Sequence, residues 1–140
     1  MDYEFEWELL LEPDFWLLIR EGLKITLLLS IISGILGLLL GTLLLVAREA
    51  PFEPFHGLKS SRFAFLANVR PLRGLVTAFI EFFRNTPLLI QLMFWYTGSA
   101  AIGLPLEVRS EFIVGCFGLT VYGGAYIAED LRSGLRSIAN

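Results

Sequence analysis

Ile80-Glu81-Phe82-Phe83-Arg84-Asn85-Thr86-Pro87-Leu88-Leu89-Ile90-Gln91-Leu92 joins two unlike stretches of this 140-residue chain. Upstream, Leu72, Leu75, Val76, Phe79, Ile80 and Phe83 recur at offsets of 0, 3, 4, 7, 8 and 11. That spacing is the apolar stripe of an α-helix. Arg73, Thr77, Glu81 and Arg84 fall on the other side, with Glu81 and Arg84 at the i,i+3 spacing of a charge pair. Downstream, residues 85–106 carry no formal charge. Thr86-Pro87 marks the joint. Thr is a good N-cap, and Pro is tolerated at the first helical position because its missing N–H would have no partner there. Inside one continuous helix the same Pro would be a kink. Both readings turn the chain at this point.

Working outward, three uncharged runs decide the class: 25–47 (23 residues), 85–106 (22 residues) and 112–128 (17 residues). A membrane-spanning helix needs about 20 apolar residues, with about 17 as the lower limit. The composition agrees, with 55% hydrophobic residues, 18% charged and a mean hydropathy of +0.65. A soluble domain carries about 25% charged residues. The expected fold is therefore an all-α integral membrane protein of about three transmembrane helices plus a short amphipathic helix.

The expected segments are an acidic extracytoplasmic stretch (1–24), a first span (25–47), a cytoplasmic loop (48–71), an amphipathic helix (72–84) and a second span (85–106). An external loop (107–111), a third span (112–128) and the start of a cytoplasmic loop (129–140) complete the chain. Orientation follows from charge. Residues 48–86 hold six bases against three acids, and residues 1–24 hold seven carboxylates and two bases. Lys and Arg mark the cytoplasmic side, so the N-terminus is expected outside and the C-terminus inside. The acidic opening is unlike a cleavable signal peptide.

Residues 2–12 alternate apolar and acidic side chains, which fits an extended segment or a frayed tail with aromatics at the interface. Asp14, after Pro13, can cap a short helix. In the first span, Ser30, Ser33, Gly34, Gly37 and Gly41 read as a small-residue face for close helix packing, or simply as the Gly common in membrane helices. Gly115 and Gly124 serve the same packing role in the third span. Gln91 has to face another helix or a wet path, because lipid cannot satisfy its amide. His56, alone in its loop, reads as solvated, and the single cysteine, Cys116, excludes an internal disulfide. The sequence contains no phosphate-binding Gly-rich loop and no nucleophile elbow. No cofactor, metal or nucleic acid is expected, and any energy source has to sit on a partner chain.

The residues quoted at the outset, from Phe82 to Leu92, resemble the signature stretch of permease subunits in ABC importers for polar amino acids, of the histidine, glutamine and glutamate–aspartate type. Gly22-Leu23-Lys24-Ile25-Thr26-Leu27 resembles that family's entry into its first span. Gly123-Gly124-Ala125-Tyr126-Ile127-Ala128-Glu129-Asp130-Leu131-Arg132 and the residues to Ile138 resemble the end of its third span. The opening Tyr3-Glu4-Phe5-Glu6-Trp7 is similar to the glutamate–aspartate branch.

The resemblance implies the first part of a type I importer permease fold in the bacterial inner membrane. It implies a partner ATPase, a second permease copy or paralogue, an extracytoplasmic amino-acid-binding protein and a lipid surround. ATP hydrolysis is then a partner's task, not an activity of this chain. In that setting Gln91, Thr86, Tyr96, Thr120 and Tyr122 are the candidate lining of a translocation path. Glu81, Arg84, Glu129 and Arg132 are candidates for cytoplasmic coupling. The family's docking loop carries Glu-Ala-Ala and then Gly, and this sequence stops at Ala139-Asn140 just before it. The expectation is a truncated permease. The alternative is a small membrane protein with a structural or regulatory role in a larger helical complex.

Overall fold

The computed structural model describes residues 11–50, 70–105, 107–108 and 110–138. These form four helices: α1 (Pro13–Glu49), α2 (Pro71–Asn85), α3 (Leu88–Ala101) and α4 (Glu111–Ile138). Among the described residues, α1 and α4 are long and apolar enough to cross a membrane. The alternation in the first residues and His56 lie outside the described residues.

α1 is one helix of 37 residues, about 55 Å long at 1.5 Å per residue. The short helix expected after Pro13 is not separate from the first span, since nothing between Asp14 and Glu49 breaks it. Pro13 sits at the helix start, and Asp14 lies in the first turn without acting as the cap. α4 likewise runs past Ala128 to Ile138, where a loop was expected to begin. Gly134 is its one poor helix former beyond Ala128, and a single interior Gly costs only about 1 kcal/mol.

α1 and α4 lie side by side in the same direction. Leu29 is near Gly115, Gly37 is near Thr120 and Gly124, and Gly41 is near Gly124 and Ile127. α2 and α3 run back against α4. Val76 and Ile80 cluster with Ala128, and Phe83 with Val121 and Ala125. Trp95 meets Phe117 edge-on, with ring centroids 4.9 Å apart. α3 has only 14 residues, about 21 Å, so 85–106 is not one continuous helix. It ends at Gly103, whose φ of 71° suits a residue without Cβ. The Leu104 N–H donates to Ser99 O and the Gly103 N–H to Ala100 O. Together they close the helix C-terminus with the paired 6→1 and 5→2 bonds.

Candidate functional site

The joint at Thr86-Pro87 differs from the sequence expectation. Pro87, not Thr86, occupies the N-cap position of α3, and no side chain caps that end. The Thr86 hydroxyl instead donates back to Phe82 O, 2.8 Å away, at the end of α2. The next carbonyl, Phe83 O, would ordinarily accept from the N–H four residues on. That residue is Pro87, which has none. Gln91 supplies the missing donor: its Nε2 donates to Phe83 O and to Thr86 O, each at 2.8 Å. Gln91 is buried, with 4% of its surface exposed. Its amide on α3 therefore bonds across the joint to the end of a second helix, α2, and does not line an open path. Its Oε1 is buried with no partner among the described residues.

The other proposed path residues do not converge on Gln91. Tyr96 is exposed on α3. Thr120 is half-buried, and its hydroxyl has no partner among the described residues. The Tyr122 ring lies 4.7 Å from that of Tyr126. The Tyr126 hydroxyl donates to Arg84 O at 3.2 Å, and the Arg84 guanidinium lies over the Tyr126 ring at 5.3 Å. Arg84 has turned to this ring and not to Glu81, which is exposed. An aromatic face attracts a cation, more so where water is scarce.

The α1–α4 contact is close at Gly37 and Gly41 on α1 and at Gly124 on α4. A Cβ on Gly37 would meet Gly124 N at 3.5 Å, and one on Gly41 would meet Gly124 O at 2.9 Å. Gly115 faces Leu29, and Gly124 faces Leu40. Ser33 is buried, and its hydroxyl is satisfied by Leu29 O at 2.6 Å. Ser30 and Gly34, expected on the same face, are exposed instead. The contact follows the ridge 29–33–37–41–45, which winds around the helix because four residues exceed one turn. Ser30 and Gly34 sit one position further round.

At the other end of this contact lies a cluster of four charges that spacing alone does not reveal. The Glu129 carboxylate accepts from Arg48 Nη1 on α1 and, at 3.3 Å, from Arg132 Nη1 on its own helix. Arg132 Nε also donates to Glu49 at 3.2 Å. Arg48 is 7% exposed, and its Nε is buried without an acceptor among the described residues. Arg48 and Glu129 are 81 residues apart. The only sequence signal was that each abuts the end of an uncharged run. Burial works to raise the Glu129 pKa, but the hydrogen bond and charge of Arg48, followed by Arg132, outweigh it and hold the carboxyl below its ordinary value. Glu129 and Arg132, read as coupling residues, thus tie α4 to α1, while Glu81 is not part of this clasp. No three His, Cys, Asp or Glu side chains among the described residues are grouped to hold a metal ion.

Comparison with known proteins agrees with the resemblance carried by the sequence. The chain is 31% identical over 121 residues to the arginine transport system permease protein ArtQ of Bacillus subtilis, covering 86% of this chain and 46% of that one. By sequence the chain belongs with the permeases of amino-acid ABC transporters. It is 34% identical over 120 residues to the glutamate transport system permease protein GluD of Corynebacterium glutamicum, covering 86% of this chain and 38% of that one. It is 28% identical over 132 residues to the L-cystine transport system permease protein TcyB of Bacillus subtilis, covering 94% of this chain and 47% of that one. The chain spans about half the length of the curated relatives it matches, or less. No family model and no solved structure matches it.

Proposed function

We propose that this chain forms part of the membrane-embedded permease of an ABC importer that carries a polar amino acid across the bacterial inner membrane, with glutamate or aspartate as the leading substrate. In this reading the N-terminus is outside and the C-terminus inside. α1 and α4 cross in one sense, and α2 with α3 makes a third crossing in the other, broken at Thr86-Pro87. A partner ATPase supplies the energy, a binding protein delivers the cargo, and a second permease copy or paralogue completes the path.

The observation that carries the proposal is the Gln91 amide seated on Phe83 O and Thr86 O. It gives the Thr-Pro-Leu-Leu-Ile-Gln stretch a physical role. Pro87 opens the helix, and Gln91 satisfies the carbonyls that would otherwise be unpaired in an apolar setting, where each would cost several kcal/mol. A broken helix of this kind is tolerated at membrane depth only where protein or a water-filled cavity surrounds it. Exposed apolar side chains along α1, such as Ile31, Ile35 and Leu39, suit a lipid surround.

The test is uptake of labelled glutamate, aspartate, glutamine, arginine and cystine by membrane vesicles from cells with and without this coding sequence. Loss of ATP-dependent uptake of one polar amino acid, restored from a plasmid, is the expected result. Unchanged uptake of all five overturns the reading.

A further inference from the structure

Two buried polar atoms on α3 stand one turn apart and unbonded. Gln91 Oε1 is an acceptor and Trp95 Nε1–H is a donor, and neither has a partner among the described residues. Both are shut off from the outside, so a further helix packed against the exposed surfaces does not reach them. Neither borders a space wide enough for a water. Their satisfaction has to come from within the chain. Buried donors and acceptors are nearly always paired, so an orphan of each kind on one helix face calls for an explanation. Residues four apart are neighbours on a helix, and a side chain leans toward the helix N-terminus. The Trp95 indole therefore covers the turn that carries Gln91.

What keeps the two atoms apart is the way the ring is turned. Its five-membered edge faces α4 at Gly118, where a Cβ would lie 3.4 Å from Trp95 Cδ1 and 2.6 Å from Leu92 Cδ2. Nε1 is bonded to Cδ1, so it lies on that edge too. The flat of the ring stacks on Phe83 of α2, with planes 14° apart and centroids at 6.4 Å. A half-turn about the Cβ–Cγ bond returns an indole to its own plane and exchanges its two edges, and this torsion is soft and roughly two-fold. The stack on Phe83 survives such a turn. The ring also borders an apolar cavity of about 460 Å³, shared with Gly98, Val114 and Phe117, which gives the turning edge room.

We propose that Trp95 is a two-position element that governs how α3 sits on α4. In the position described above, its narrow edge fits the notch at Gly118 and two buried atoms stay unpaired. In the turned position Trp95 Nε1–H donates to Gln91 Oε1. Gln91 Nε2 stays on Phe83 O and Thr86 O, so the joint with α2 holds. The wider six-membered edge then faces Gly118, where Leu92 is already close, and it pushes α3 off α4. Each position satisfies what the other leaves wanting, packing in the first and hydrogen bonding in the second. Packed contacts of this kind switch between discrete arrangements and do not deform continuously. The device unseats α3 from α4 without opening the α2–α3 joint.

The test is solid-state NMR on the full chain in frozen lipid nanodiscs, where exchange between positions is stopped. Gln91 is the only glutamine of the sequence, and Trp7→Phe with Trp16→Phe leaves Trp95 as the only tryptophan. With ¹⁵N-tryptophan and ¹³C-glutamine, dipolar recoupling marks the Trp95 Nε1 atoms that lie within about 4 Å of Gln91 Cδ, as a hydrogen bond to Oε1 requires. Where the double substitution fails to fold, the Trp95 signal is obtained by subtracting the spectrum of Trp95→Phe, which keeps an aromatic ring on Phe83. Part of the Trp95 signal should be recoupled and part not. Leu92→Ala relieves the crowding at Gly118 and should raise the ratio of recoupled to unrecoupled signal at least threefold. Recoupling of all the signal or of none overturns the two positions, as does a ratio unmoved by Leu92→Ala. No uptake enters the measurement, so its result stands apart from the permease reading.

Discussion

Gly41→Ala adds one methyl group at the tightest point of the α1–α4 contact. The new Cβ would lie 2.8 Å from Ile127 Cγ2 and 2.9 Å from Gly124 O. The first neighbour can rotate away, but the second is backbone and cannot move without parting the helices. Gly37→Ala makes the same chemical change four residues earlier, where the nearest atom is Gly124 N at 3.5 Å. That is ordinary van der Waals contact. Overpacking of this kind costs about 1–3 kcal/mol, or roughly 5- to 150-fold in a folding equilibrium at tenfold per 1.4 kcal/mol. The Gly37 variant should lose less than about 0.5 kcal/mol, the range of substitutions that strain nothing. Unfolding in mixed micelles with rising dodecyl sulfate, followed by tryptophan fluorescence, measures both. Equal midpoints for the two variants would refute the glycine contact as drawn.

Replacing Gln91 with Leu removes the donor to two carbonyls and should destabilise the chain by about 1–3 kcal/mol, read in the same titration. Gln91→Glu should recover part of that stability, and only at a pH low enough to protonate it, since an ionised carboxylate has no proton to donate and a carboxylic acid has one against the amide's two. Arg48→Ala leaves Glu129 with one of its two guanidinium partners, and removing one partner of a buried pair costs about 3–5 kcal/mol. Glu129→Ala should cost a similar amount, and a double-mutant cycle should show the two losses to be far from additive. Because the folded Glu129 pKa lies below its ordinary 4.5, its stabilisation is present above that value and is lost as pH falls through the folded one. The unfolding midpoint should thus hold from neutral pH down to about pH 5 and drop below it, and Glu129→Gln should lack this acid step.

Period and composition made much of the fold legible. The uncharged runs marked the cores of α1 and α4, and the stripe from Leu72 to Phe83 marked the face that α2 buries. The helix ends were less legible. Nothing in a hydropathy window says that 13–24 and 129–138 continue helices whose apolar parts end earlier, because length there follows from the lack of a breaker and not from lipid. Thr86-Pro87 could be read as cap or kink, since both use the same two residues. The position of Gln91, four after the proline, decides between them once its amide is seen on Phe83 O. Ser30 and Gly34 were assigned to the packing face because a helix seen end-on hides the winding of its ridges. The Arg48–Glu129 pair joins residues that only tertiary packing brings together, and no local pattern names such partners.

The crossing proposed for α2 and α3 is tested most directly by which side of the membrane its two ends face. Single cysteines at Arg70 and Ile102, in a Cys116→Ser background, are labelled with an impermeant maleimide in right-side-out and in inside-out vesicles. Arg70→Cys should label only from the cytoplasmic side and Ile102→Cys only from the outside. Labelling of both from the same side would mean that α2 and α3 do not cross the membrane, which would contradict the proposed three-crossing architecture.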